Sequence, residues 1–271
     1  MKKNNIPTMI AISVLSWIMV NMFHEIVGHG LFGVLSGLKL KAVSTSTAYL
    51  DANGIDFISI RFVNLGGILM NFITGLIAWL ILKIKKPKNP QIKLFLWLFA
   101  SFSYIIIVMN LISVTLIGGG DLPGVISTFN NQSIAKITVL IIGLFIMISG
   151  YLIIQKSFMP TIKGHRSILI SLTLIPALTV IIIQTLSLLK SPFANLPPSQ
   201  NHLLASVFAY FHFLLWALVV NIVPCSSKSN SLGNILTGKS FYIITIGIIL
   251  AVFYIFILGP GIGSFEGHPS L

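Results

Sequence analysis

Charge is what this sequence has least of. Only 8% of its 271 residues are Asp, Glu, Lys or Arg, against roughly 25% in a soluble globular protein, so the composition excludes an ordinary water-soluble domain. Acids are rarer still: Glu25, Asp51, Asp56, Asp121 and Glu266 are all there are. One cysteine, Cys225, excludes an internal disulfide framework. Internal repeats and a separate polar domain are also missing. What fills the chain is apolar: 55% of it is hydrophobic and its mean hydropathy is +0.98. The formal charge of +12 would point to nucleic acid in a soluble protein. Here it marks loops facing an anionic lipid surface.

A helix needs about 20 apolar residues to cross a bilayer core. Seven windows qualify, over 7–36, 64–82, 94–117, 134–154, 167–189, 203–223 and 241–258. The first continues through Glu25 and two histidines without a cleavage pattern, so it reads as a retained span rather than a signal peptide. Cations sort between the two sides. The side of the N-terminus gathers most of them, with Lys83, Lys85, Lys86, Lys88 and Lys93 in one loop, whereas the other side holds Lys39, Lys41, Arg61, Lys136 and Lys190. This asymmetry predicts a cytoplasmic N-terminus in an integral, multi-pass protein of the cell membrane. Between the first two spans, β-branched and aromatic residues flank Asn53-Gly54, which predicts a β-hairpin over 42–62. The fold expected is an all-α polytopic membrane protein of about seven transmembrane helices with one hairpin, followed by a flexible tail at 259–271.

Glu25 stands inside the first span, in Phe23-His24-Glu25-Ile26-Val27-Gly28-His29-Gly30. An ionisable group at membrane depth costs at least about 2.5 kcal/mol, so it has a partner and a task. His-Glu followed closely by His on a helix points to a zinc hydrolase, in which the imidazoles hold the ion and the carboxylate activates water. Three polar residues solvating one another would look the same. The spacing is unusual, because five residues at about 100° each leave the imidazoles about 140° apart on a regular α-helix. A π-bulge would bring residues i and i+5 back to one face and leave Glu25 free as a base. Alternatively a regular helix makes Glu25 and His29, at i and i+4, the ligands. A third protein ligand is required for an open catalytic site. Asp121, in Gly118-Gly119-Gly120-Asp121-Leu122-Pro123-Gly124 at the end of the third span, falls in the same half of the membrane. An ordinary surface turn has the same composition.

These residues, with the downstream hairpin and Gly66-Gly67-Ile68-Leu69-Met70-Asn71 opening the second span, resemble the site-2 protease family of intramembrane zinc metalloproteases. The resemblance covers about residues 10–125, which makes 1–125 a catalytic core and 126–258 four additional spans. It implies a Zn2+ ion on His24, His29 and Asp121, Glu25 as general base, Asn71 as a polar aid to substrate or transition state, and a membrane protein as substrate. Departures are Val27, which stands as an extra residue in the metal motif, Gly67 where the family often has Pro, Leu122-Pro123 after Asp121, and Asn110 eleven residues before it. The family's site also lies nearer the cytosol, while the cation asymmetry puts this one in the opposite half. The hairpin edge is expected to pair with an unwound substrate. Rival readings are a zinc-dependent lipid hydrolase, a transporter using the same cluster as an ion site, and a pseudoenzyme with Val27 as the lesion. His212 reads as an interior histidine; His165 and His202 fall at loop edges and His268 in the tail.

Overall fold

The computed structural model describes residues 5–51, 56–118, 120–158, 166–192, 210–219 and 239–265. The first span is composite: α1 (Ile6–Met22), a π-helical segment π1 (Phe23–Leu31) and α2 (Phe32–Leu35). Strands β1 (Lys39–Val43) and β2 (Ala48–Asp51) follow, then α3 (Phe57–Ile84), α4 (Pro90–Met109), π2 (Asn110–Val114), α5 (Thr115–Ile117) and α6 (Asp121–Ile126). The remaining elements are α7 (Gln132–Phe158), α8 (Arg166–Leu188), α9 (Tyr210–Val219), α10 (Phe241–Phe253), π3 (Tyr254–Leu258) and β3 (Ile262–Gly263). Among the described residues six helices are long and apolar enough to cross a membrane: Ile6–Leu35, Phe57–Ile84, Pro90–Ile117, Gln132–Gly150, Leu169–Leu188 and Phe241–Leu258. Of the window at 203–223 only α9 is described, and its ten residues are too short to count with these.

The helix starts follow from local chemistry. Asn5 Oδ1 accepts from Thr8 N at 3.0 Å to cap α1, Asp56 Oδ1 from Ser59 N at 2.7 Å to cap α3, and Asn89 Oδ1 from Gln91 N at 2.8 Å before Pro90 at the head of α4. The cap at Asp56 overturns part of the predicted hairpin. Phe57–Phe62, expected to form its second strand, begin α3 instead. Ile58, Ile60 and Val63 suit a strand locally, but 28 residues of helix satisfy every backbone group within an apolar segment, which an exposed strand edge cannot do. The strands present are earlier, with β1 and β2 antiparallel and joined through Ser44–Thr47, where Ser44 N donates to Thr47 O at 2.8 Å. Asn53-Gly54 lies outside the described residues.

The tail is also more ordered than expected as far as Phe265. Ile262–Gly263 adds antiparallel to β1, giving a three-stranded sheet in the order β2-β1-β3, and the Phe265 ring stacks on Tyr49 at 6.1 Å. Residues 266–271, with Glu266 and His268, lie outside the described residues, as do Cys225, His165 and His202.

One apolar core joins the two halves of the chain, from Met9 in α1 through Trp97 and Phe102 in α4, Leu172 in α8 and Trp216 in α9 to Leu258. In lipid the helices gain little from the hydrophobic effect, so close packing and interhelical hydrogen bonds hold them. Trp17 meets Phe213 edge to face at 5.4 Å, and Gly247 lets α10 lie so near α1 that a Cβ there would be 2.7 Å from that of Ala11. Gln184 Oε1 accepts from both Trp17 Nε1 at 3.1 Å and Tyr254 OH at 2.6 Å. Asn21 Nδ2 donates to Thr45 O at 2.7 Å, and Ser187 Oγ lies 2.5 Å from Thr45 Oγ1. This buried network fixes the loop between β1 and β2, α8 and π3 against the end of α1, one turn before Glu25.

Candidate metal centre

The π-helical stretch Phe23–Leu31 contains the whole His24 to His29 motif. Its i→i+5 hydrogen bonding lifts residue 29 over residue 24, and the two Nε2 atoms stand 3.3 Å apart. The inserted residue is therefore absorbed by the helix, and of the two geometries open to the sequence the bulged one is formed. Glu25 is buried in the same stretch and lies in electrostatic reach of His24, His29 and Asp121.

Asp121 comes from the other side, at the first residue of α6. Its Oδ1 is 3.2 Å from His29 Nε2 and its Oδ2 3.2 Å from His24 Nε2. The second contact lacks hydrogen-bond geometry, leaving Oδ2 a buried acceptor without a donor. Burial works against the charge on Asp121, but the field of His29, with contacts from both imidazoles, outweighs it and holds the carboxyl below its ordinary range. That field belongs to a protonated His29; with both imidazoles neutral, a bound cation would take its place.

His24, His29 and Asp121 form a group that could hold a metal ion. The spacing itself tests the fit. Ligands at about 2.0–2.1 Å from a tetrahedral ion stand about 3.3–3.4 Å apart; the two Nε2 atoms match this at 3.3 Å, while Asp121 meets them with different oxygens, and one ligand atom from each residue lies within 4.8 Å of the others. Two neutral imidazoles and one carboxylate also leave a fourth tetrahedral position uncommitted.

The outward ring nitrogens are held by α3, which supplies no ligand. His29 Nδ1–H donates to the Val63 carbonyl at 2.9 Å, which leaves a lone pair on Nε2. Asn71 is fully buried, with Nδ2 3.0 Å from His24 Nδ1. Its Oδ1 has no partner in this orientation. Turned by half a rotation, the amide offers Oδ1 to a proton on Nδ1 and frees the His24 Nε2 lone pair for a cation. Asn71, expected beside substrate, is thus placed behind a ligand. Between them on α3 lie Gly66 and Gly67, against which π1 packs backbone to backbone through Gly28. A Cβ at Gly67 would be 2.6 Å from both His24 Cε1 and His29 Nε2.

Sequence reasoning named the three residues that the structure brings together, and Glu25 in the same stretch, but missed the contacts that Val63 and Gly67 make with the two imidazoles. The first is a backbone carbonyl and carries no side-chain signal, and Gly67 registered only as a departure from a family pattern. Asn110 turns back into its own helix, donating from Nδ2 to Ile106 O at 3.2 Å. His212 lies with Tyr104 and Trp216 around a different, almost wholly apolar cavity of about 210 Å³. Comparison of the chain with protein-family models, curated proteins and solved structures finds no match.

Proposed function

We propose that this chain is a zinc-dependent intramembrane metalloprotease of the site-2-protease type, hydrolysing peptide bonds of a transmembrane or membrane-proximal protein. The observation that carries the reading is the π-helical turn that closes His24 and His29 to 3.3 Å opposite a half-buried Asp121, with Glu25 buried in the same turn. Zinc, when bound, supplies a Lewis acid that polarises the scissile carbonyl and brings the pKa of water toward about 7. His24, His29 and Asp121 hold it, while Val63 and Asn71 keep the two rings turned toward it. Glu25 accepts a proton from the attacking water as the C–O bond forms, then gives it to the amine nitrogen as the C–N bond breaks. The apolar walls of the bundle limit the water that reaches these groups.

A substrate helix hides its peptide bonds and has to be extended before hydrolysis. The sheet offers a template: β1 is covered by β2 and β3, so an extended segment adds to the outer edge of β2. Proline at Tyr49 or Leu50 would then abolish cleavage while zinc stays bound, and unchanged cleavage would exclude the sheet as template. Seven crossings, with the N-terminus in the cytoplasm of a cell-membrane protein, fit the rest of the chain. The start of α10 meets the start of α1 where Ser240 N donates to Thr8 Oγ1 at 3.2 Å, and the end of α8 meets the loop between β1 and β2 at Thr45. Between α8 and α10 in the chain, α9 is the apolar helix among the described residues.

The test is metal content followed by proteolysis. Purified protein should hold about one zinc per chain, lost in His24→Ala, His29→Ala and Asp121→Ala, and Glu25→Gln should keep the zinc yet lose at least about 100-fold in cleavage of a transmembrane reporter. A wild-type protein without stoichiometric metal after zinc is supplied would refute the reading. A metal-loaded protein that releases fatty acid, or moves protons or ions without hydrolysis, would instead establish the lipid hydrolase or the transporter.

A further inference from the structure

The third ligand is carried differently from the other two. His24 and His29 are built into a transmembrane helix, whereas Asp121 heads α6, a helix of six residues. The chain enters α6 through Gly118 at φ 79° and Gly120 at φ 65°, conformations that glycine adopts without the steric cost other residues meet there. An apolar face of α6, formed by Leu122, Val125 and Ile126, rests on Ile107 and Leu111. Such contact sets a distance but leaves rotation about the patch open. The polar tie is at the far end. Arg61, half-buried in the second turn of α3, donates from Nε to Thr128 Oγ1 at 2.7 Å and from Nη2 to Thr128 O at 2.9 Å. Thr128 passes the constraint back by donating from Oγ1 to Val125 O at 2.6 Å. The guanidinium also lies over the Phe129 ring, 4.4 Å from its centre. Among the described residues no carboxylate pairs with Arg61, so its fork is committed to the end of α6.

We propose that Arg61 is the positioning residue for the third metal ligand: through Thr128 it sets the orientation of α6 and so the place of the Asp121 carboxylate. This rests on reading His24, His29 and Asp121 as a metal site. One helix then orients all three ligands without contributing any: Arg61 acts on Asp121, Val63 on His29 and Asn71 on His24. Residues that orient a ligand typically contribute 10–100-fold to metal affinity, and planar two-point contact is what lysine cannot reproduce.

The experiment is zinc titration against a competing chelator, on the full chain in mild detergent, with melting temperature followed in parallel. Arg61→Ala and Thr128→Val should each weaken zinc binding by about 10–100-fold. Arg61→Lys, which keeps the charge and serves if the alanine variant does not fold, should fall between, and Thr128→Ser should restore near wild-type affinity because it retains the hydroxyl. The decisive comparison, read at high zinc as the weak residual binding left to His24 and His29, is the double variant Arg61→Ala/Asp121→Ala, expected to bind no more weakly than Asp121→Ala alone. Wild-type affinity in Arg61→Ala would overturn the assignment while leaving the metal site standing. An equal loss with and without Asp121 would overturn it too, since Arg61 would then support the fold and not the ligand. Failure of the wild-type chain to bind zinc would overturn the metal site itself and this assignment with it.

Discussion

Gly67→Ala should empty the metal centre without unfolding the protein. The new methyl carbon would stand 2.6 Å from His24 Cε1, 2.6 Å from His29 Nε2 and 2.7 Å from His24 Nε2. Non-bonded carbons settle near about 3.5 Å, so both rings would have to retreat by roughly 0.9 Å. Metal–ligand distances tolerate about 0.2 Å. The rings are not free to retreat, because His29 Nδ1 is tied to Val63 O at 2.9 Å and His24 Nδ1 to Asn71 Nδ2 at 3.0 Å, both on the helix that carries residue 67. Either those bonds break or α3 moves off π1, and each course spoils the 3.3 Å approach of the two Nε2 atoms and their contacts with Asp121. Zinc affinity should fall by at least about 100-fold, or about 2.7 kcal/mol. Alanine in place of glycine favours a helix by up to about 1 kcal/mol, which offsets part of the packing loss and should keep the chain folded. Gly30→Ala is the matched control, since its methyl would find nothing nearer than Glu25 O at 3.7 Å. Zinc stoichiometry by elemental analysis, with melting temperature in the same detergent, reads both. Wild-type affinity in Gly67→Ala, or equal loss in Gly30→Ala, would refute the steric argument.

Deleting Val27 should leave zinc bound, because His24 and the present His29 would become i and i+4 on an ordinary α-helix and meet on one face; loss of the metal would mean that the π-helix supplies more than the return of register. Gln184→Leu should destabilise the bundle by about 1–3 kcal/mol for each donor it strands, at Trp17 Nε1 and Tyr254 OH, whereas Tyr254→Phe removes a single hydrogen bond and should lower the melting temperature less. Asp56 caps α3, and the hydrogen bond from Ser59 N–H holds its carboxyl below the ordinary range. The cap's contribution is therefore complete above the unfolded value and is lost as pH falls through the lowered folded one. Melting temperature should drop on acidification below about pH 4 in the wild type and less in Asp56→Asn, whose oxygen accepts at any pH; parallel curves would exclude Asp56 as the source.

The spans were legible because lipid imposes a crude rule, length and apolarity, that composition expresses directly. The hairpin was misplaced for a related reason. Ile58, Ile60 and Val63 carry a strand propensity, and Asn53-Gly54 a turn signal, but propensity is a weak prior beside the demand that a membrane segment pair its own backbone. Asp56 three residues before Ser59, at the head of a long apolar run, was the available sign that α3 starts there. The order of the tail could not be read at all, since β3 consists of Ile262 and Gly263 and depends on the edge of β1.

The site divides along the same line. Residues that touch a metal have to be His, Cys, Asp or Glu, and in a chain with so few of them the candidates are nearly forced. Residues that aim those ligands face no such restriction: here they are a carbonyl, an amide, a glycine and an arginine on one helix. The glycines show how narrow the solution is. Gly28 and Gly66-Gly67 bring two backbones into contact, and only at that separation do Val63 and Asn71 reach the rings they orient. The extra residue in the motif follows from the same contact. With both imidazoles turned toward α3, the helix that bears them has to place residues 24 and 29 on one face, and π1 is how a five-residue interval does so. The π-helix, without which a five-residue interval would separate the two imidazoles, and the glycine pair are therefore two halves of one device, and filling the glycine pair should be felt first at the metal and only afterwards in the fold.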